Sequence, residues 1–455
     1  MLEQCAVLDW AASGAMALTG QPGGAPVTSP APLLTMLAAV TEQLARATGE
    51  TGNPVRANPA ELITGRAALM GLRRGGQVSA GGSSFLLRSA DGWCAVSLSR
   101  PDDLAAVPAI LGALGLDPGD PSRASLPATM RSALAAVVLT RPAEDLVAAA
   151  QLLGVPAAAL PPTCRARASR PAPEPDMDQS GRSWQATRIA PPSSSARLAG
   201  AVVADLSSMW AGPLCARLLH LAGADVIKVE SPDRPDGARA GNREFYDWLH
   251  AGHRSLAADF TTADGRAALK ALLGVADIVI EASRPRALAA LGLAPDMIPH
   301  PDGQVWLSIT GYGRAAPERV AFGDDAAVAG GLVGWTAGGS APEPVFCADA
   351  IADPLAGVCG ALAVARSAAA GGGELIDLSM REVAAAFAAA APPAHGPHEV
   401  RPDGTVTCPL TGRQQAVLLP RRPAPPVGPA ALHAADLGAD TGAVLAWLAG
   451  RAAAC

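Results

Sequence analysis

Residues 202–230 read VVADLSSMWAGPLCARLLHLAGADVIKVE, and the order of residue types in this stretch decides the fold. An apolar run over 201–204 fits a buried strand, and Asp205, Ser207 and Ser208 form a polar turn. A helix opens near Gly212 and Pro213, and Val226–Val229 is a second strand. This is a βαβ unit. Strand ends that feed a helix are where open parallel sheets bind anionic ligands, because unpaired N–H groups and the helix dipole converge there. The turn carries neither G-x-G-x-x-G nor G-x-x-x-x-G-K-[ST], so it is neither a dinucleotide fingerprint nor a nucleotide phosphate loop.

The alternation continues. A strand over 254–259 is followed by a helix over 262–273, a strand over 277–280, a helix over 286–291 and a strand over 305–309 that ends at Thr310-Gly-Tyr-Gly313. Strands alternating with helices of this length predict a parallel sheet covered on both faces. The expected fold class is α/β, a Rossmann-like parallel-sheet large domain with a smaller α+β domain.

Composition narrows the function. The 455 residues suffice for two or three domains, and a net charge of −6 excludes a generally basic nucleic-acid surface. The hydrophobic content of 49% is largely alanine, and apolar runs such as Val383–Pro392 are too short to span a bilayer. The opening MLEQCAVLDW lacks a basic segment followed by an apolar core, so no secretory signal is expected and the location expected is cytoplasmic. Eight cysteines occur without C-x-x-C, which fits free buried thiols in a reducing compartment. His250-x-x-His253 and His395-x-x-His398 have metal-like spacing, but the sequence places no third ligand near either, so no metal is expected.

The stretch from Pro161 to Ser195 is rich in Pro, Ser and Arg and has no apolar periodicity. It predicts a linker over 161–197 between an N-terminal portion, 1–160, and a large domain, 198–391. Residues 392–455 are expected as a Pro-rich irregular segment and a C-terminal helix, with 198–455 able to fold without the rest. The glycine-rich run Gly75–Ser83, which includes Gly81 and Gly82, fits either a hairpin loop or a mobile lid. Asp353-Pro354 and Asp324-Asp325 both fit helix N-termini on capping grounds alone.

Six segments occur in order over Val202–Met380: DLSSMWAGPLCARLLHLAGADVIKVESP, GHRSLAADF, DIVIEASRPRALAALGL, SITGYG, GGLVGWTAG and ADPLAGVCGALAVARSAAAGGGELIDLSM. Together they resemble the class III coenzyme A transferases, the CaiB/BaiF family that includes formyl-CoA transferase and α-methylacyl-CoA racemase. The N-terminal portion resembles other parts of the same pattern. WAASGAMALTGQPGG at Trp10–Gly24 echoes the motif at 330–338, and SADGWCAVSLSRPDDLAAVPAILGALGL at Ser89–Leu116 resembles the small domain. Small-domain sequence thus precedes large-domain sequence, by partial duplication or by permutation.

The resemblance implies an acyl-CoA:carboxylate CoA-transferase working through an aspartyl-CoA intermediate, with acyl-CoA and a carboxylic acid as partners and a homodimer as the working form. It implies Asp353 as nucleophile, because a carboxylate forms reactive anhydrides and thioesters that divide a hard exchange into easier steps. Asp324 is the second acidic candidate. In the racemases a histidine stands where this chain has Gly323. Loss of that acid/base group disfavours the alternative 2-methylacyl-CoA isomerase. For CoA the resemblance implies Ser208, Met209, Trp210 and Ala211 in the first turn, Arg239, Arg254, and Ser283, Arg284 and Pro285 in the later loop. Gly81 and Gly82 correspond to the family's active-site lid. Two departures, His250-Ala251 for Asn-Arg and Ala290 for a basic residue, keep open a third reading, a CoA-ester-binding homologue without activity; Arg286 or His253 would have to compensate.

Overall fold

The computed structural model describes residues 5–115, 127–162, 184–336, 341–391, 395–401, 403–424 and 433–452. In chain order the strands are β1 (Ser84–Arg88), β2 (Trp93–Ser97), β3 (Ala157–Ala159), β4 (Gln185–Arg188), β5 (Val202–Asp205), β6 (Asp225–Glu230), β7 (Arg254–Ala257), β8 (Ile278–Glu281), β9 (Val305–Thr310), β10 (Val333–Trp335), β11 (Pro344–Phe346) and β12 (Glu374–Ser379). Seven of them form the main sheet, in the order β4-β12-β9-β8-β5-β6-β7. All neighbours are parallel except β4, which pairs antiparallel with β12 at the edge. From β5 the chain winds outward through β6 and β7, then returns to the other side of β5 through β8, β9 and β12. The order therefore reverses between β5 and β8, and the crevice beyond their C-terminal ends is where such sheets take ligands.

The sheet is covered on both faces because alternate side chains of each strand point opposite ways. Val203, Val226, Ile280 and Leu307 pack under the Ala211–Leu221 and Ala352–Ala369 helices, whereas Val202, Ile227, Val279 and Trp306 pack under Ala263–Leu273 and the Thr441–Ala452 helix. The Ala352–Ala369 helix lies unusually close to its neighbour. A β-carbon on Gly357 would stand 2.7 Å from the Ala211 carbonyl oxygen, so glycine there brings the two helix N-termini to the same crevice.

The small domain is an antiparallel β1-β2-β3 sheet backed by the Pro101–Ala113, Pro127–Val138 and Ala143–Leu152 helices around Val96, Ile110 and Leu146. This is the α+β unit expected from the sequence.

Three boundaries differ from the sequence expectation. Residues 5–70 are not a separate N-terminal portion: Leu33, Leu37 and Leu44 of the Leu33–Thr51 helix are buried in the same core as Leu355 and Leu362 of the Ala352–Ala369 helix. Of the expected linker, residues 163–183 lie outside the described residues, but Gln185–Arg188 is a sheet strand whose exposed, mostly polar side chains give no apolar alternation to read. Residues 395–416 hold a small antiparallel sheet of Glu399–Val400, Thr405–Thr407 and Gln414–Ala416 instead of purely irregular chain. Among the described residues no helix is long and apolar enough to cross a membrane.

Candidate active site

The Ala352–Ala369 helix starts from a tight loop. Ala348 and Ala350 both adopt left-handed backbone, φ 56° and 42°, and Met209 beyond β5 does the same at 74°. These are the only non-glycine residues with positive φ among those described. Such conformations cost of order 1–3 kcal/mol each and persist where surrounding contacts enforce them, commonly at functional sites.

The loop supplies Asp349, its helix supplies Asp353, and the Gly323–Ala329 helix supplies Asp324 and Asp325; Asp349, Asp324 and Asp353 share the field of one guanidinium, Arg66. Arg66, on the Pro59–Met70 helix, pairs with Asp349 at 2.6 Å and lies over the rings of Trp210 and Phe245, 5.5 and 5.8 Å from their centroids. Asp324 accepts hydrogen bonds from Ser84 Oγ at 2.9 Å and the Ala350 N–H at 3.1 Å. Asp325 accepts from Ser97 Oγ at 2.8 Å and the Phe322 N–H at 3.0 Å. The small-domain strands β1 and β2 thus reach the large-domain carboxylates through Ser84 and Ser97.

Burial and mutual repulsion govern the ionisation of this group. Burial pushes the Asp353 carboxyl up to about 8; Arg66 opposes the shift, and Asp324, Asp349 and Asp325 add to it. Asp324 is raised to about 6 by burial and by Asp349, and Asp325 to about 7, chiefly by burial. Asp353 is not the helix cap. The N-cap position is Ile351, and no side chain caps this end. Asp325 does take the capping role allowed by the sequence, through its bond to the Phe322 N–H. The helix N-terminus is therefore free to present backbone donors to charge developing near Asp353.

The remaining sequence-predicted residues divide by position. Ser208, Met209, Trp210 and Ala211 follow β5, and Ser283, Arg284 and Pro285 follow β8, so they flank the crevice at the order reversal. Gly81 lies beside Arg66, where an added β-carbon would stand 3.5 Å from Nη2. Gly82, in left-handed backbone, has no atom within 4 Å of such a β-carbon. Arg100 joins Arg284 at one acceptor, both guanidinium groups donating to the Gly154 carbonyl oxygen at 2.9 and 3.3 Å. Burial and the nearby charges of Arg286, Arg100 and Arg234 hold Arg284 below the usual guanidinium range. Two members already have carboxylate partners, Arg100 with Asp103 at 2.6 Å and Arg286 with Glu318 at 2.6 Å, which leaves Arg284 and Arg234 facing the loop.

Two expectations need correction. Arg239 is committed to Glu230, which it meets at 2.6 Å while stacking on Tyr246. Arg254 begins β7 and pairs with Asp225 at the start of β6. It therefore stands at the N-terminal edge of the sheet, opposite the crevice, because its motif opens a strand instead of closing one. His253 cannot supply the missing charge either, since burial holds His250 and His253 well below the ordinary imidazole range. Asp205 lies near that pair, but the Lys228 ammonium already fills the acidic nest, 3.1 Å from Asp236 and 3.7 Å from Asp205. The other histidine pair does gain partners that the sequence spacing did not show, Cys5 and Cys408.

Sequence reasoning missed Arg66, Asp349, Ser84 and Ser97. Arg66 sits mid-helix in ELITGRAALM and carries no local signal. Only packing of that helix against the crevice makes it part of the site.

Residues 198–415 match the family model described as CoA-transferase family III. Among curated relatives, a succinate--glutarate CoA-transferase of Agrobacterium fabrum is 32% identical over 212 residues, covering 42% of this chain and 53% of that protein. An acyl-CoA transferase of Fusarium pseudograminearum is 31% identical over 212 residues, 42% of this chain and 46% of that one. The chain spans about half the length of the curated relatives it matches. A solved CAIB/BAIF family protein from Brucella suis is 28% identical, with a TM-score of 0.37 over 43% of this chain and 55% of the other.

Proposed function

We propose that this protein is an acyl-CoA:carboxylate CoA-transferase with Asp353 as its nucleophile. The observation that carries the reading is the placement of Asp353: first turn of a helix, side chain uncommitted to capping, beside the crevice where the strand order reverses between β5 and β8, with Arg66 as the nearby cation. Asp353 Oδ attacks the thioester carbonyl, the C–S bond breaks, and the CoA thiolate leaves an acyl-aspartyl anhydride. The thiolate then attacks the aspartyl carbonyl and releases the donor acid, leaving aspartyl-CoA. The acceptor carboxylate attacks this thioester, giving a second anhydride and free thiolate, which takes up the new acyl group and regenerates Asp353.

The chain's own residues serve that sequence in separate ways. Arg66 favours the ionised form of Asp353. The glycine loop beside Arg66 has the backbone freedom to shield reactive anhydride from water. Asp324, held by Ser84, sets the local charge. Arg284 and Arg234 are the anion-accepting groups for CoA phosphate. A cytoplasmic homodimer belongs to the same proposal, supported by the family resemblance.

The test is intact-protein mass spectrometry after incubation with acyl-CoAs and hydroxylamine. Aspartyl hydroxamate confined to Asp353 is the expected product, and its absence with every acyl-CoA that the protein turns over would refute the covalent route.

A further inference from the structure

Four side chains with metal-binding atoms meet where the first helix touches the C-terminal hairpin. Cys5 immediately precedes the Ala6–Ser13 helix, His395 and His398 precede Glu399–Val400, and Cys408 follows Thr405–Thr407. One ligand atom from each lies within 4.8 Å of the others. Cys5 Sγ is 3.0 Å from His398 Nε2, although the residues are 393 positions apart, and His395 Nδ1 is 3.3 Å from Cys408 Sγ. Cys5, His395 and Cys408 are buried. We propose that Cys5, His395, His398 and Cys408 form a tetrahedral zinc site that pins the first helix to the C-terminal hairpin.

The donor set is the first reason. Two sulfurs and two imidazole nitrogens suit zinc at a closed structural site, and Zn–S of about 2.3 Å with Zn–N of about 2.0–2.1 Å puts tetrahedral ligand atoms roughly 3.3–3.8 Å apart. Small movements bring the observed spacings to that geometry.

The surroundings of each ligand are the second. His398 Nδ1 lies 3.0 Å from the Gly396 carbonyl oxygen. It donates there, which fixes the tautomer and leaves the Nε2 lone pair facing Cys5, the arrangement that orients metal-bound imidazoles. The Cys5 sulfur faces the His398 imidazole and the Cys408 sulfur faces that of His395, so each sulfur meets a nitrogen ligand of the same set.

The third reason is mechanical. The hairpin strands are two or three residues long, and among the described residues of this element only Val406 and Cys408 are fully buried. So small an element lacks the apolar area to order itself, and metal ligation is a common substitute. The site would fasten it to the Ala6–Ser13 helix, where Leu418 N already bonds to the Ala11 carbonyl at 3.0 Å.

The full chain, expressed with zinc and purified under reducing, chelator-free conditions, should carry one zinc ion per chain by plasma mass spectrometry. Cobalt(II) exchanged into wild-type protein should show thiolate-to-metal charge transfer and intense tetrahedral d–d absorption. Cys5→Ser and Cys408→Ser should each lose the stoichiometric metal and those thiolate bands weaken or vanish, whereas His398→Cys, which keeps four ligands, should retain metal. Wild-type protein without stoichiometric zinc after zinc supplementation would overturn the proposal. So would a cobalt spectrum without thiolate bands, or an oxidised mass showing that Cys5 and Cys408 are joined as a disulfide in the purified, metal-free chain.

Discussion

Gly323 and Asp353 are packed so tightly that a β-carbon on Gly323 would stand 2.8 Å from Asp353 Cγ, and closer still to its Oδ2 and to the Ala350 carbonyl oxygen. The residue that resembles a racemase histidine by position therefore has no space for an imidazole without displacing the carboxylate. Gly323→Ala should lower kcat at least ~100-fold, since a misplacement of about 1 Å costs that much, and overpacking should cost about 1–3 kcal/mol of stability. Steady-state kinetics with denaturant melts checks both. In D₂O, (2R)-2-methylacyl-CoA should gain no α-deuterium; rapid incorporation dependent on Asp324 or Asp353 would establish the isomerase instead.

Asp353→Asn should abolish transfer and hydroxamate formation while leaving CoA affinity nearly unchanged. Its stability effect has a definite sign. The folded carboxyl is raised to about 8, so ionisation costs folding free energy as pH climbs from the unfolded value near ~4 towards 8. The variant should match wild type near pH 4 and melt higher than wild type at pH 8–9, as read by thermal denaturation.

Transfer should rise with pH through an apparent pKa near 8, because the proposed nucleophile is the ionised form of Asp353. The carboxylates titrate as a coupled set, so the profile belongs to the group. Arg66→Gln removes the opposing cation and should move the profile to higher pH while lowering kcat at neutrality. An unmoved profile would separate Arg66 from Asp353 ionisation.

Arg284→Glu should weaken CoA binding about tenfold or more, equivalent to ~1.4 kcal/mol, and flatten its salt dependence. Arg254→Glu, at the opposite edge of the sheet, should leave CoA affinity unaltered. Isothermal titration at two ionic strengths distinguishes the two positions.

Residues 198–455 alone should fail to fold cooperatively. They would expose the face of Ala352–Ala369 that Leu33, Leu37 and Leu44 cover, and each such buried leucine contributes roughly 1.5–3 kcal/mol. Circular dichroism and melting of that fragment provide the check, and a cooperative native melt would contradict the shared core.

The sequence alone determined the elements whose signal is local. Val202–Glu230 and the strands that follow it specify a parallel sheet through apolar runs and helix periodicity, and the order of motifs carries the family resemblance. Tertiary structure decided what depends on meetings between distant segments. It placed Arg66 against Asp349, 283 positions away, brought Ser84 to Asp324, 240 positions away, and drew Cys5 to His398. It also spent Arg239 on Glu230 and sent Arg254 to the far edge of the sheet. The strand Gln185–Arg188 stayed hidden for the same reason, since its side chains are exposed and its place is set by backbone pairing with β12. Periodicity records which face of an element is buried, whereas charge pairing and ligand convergence depend on where that face ends up.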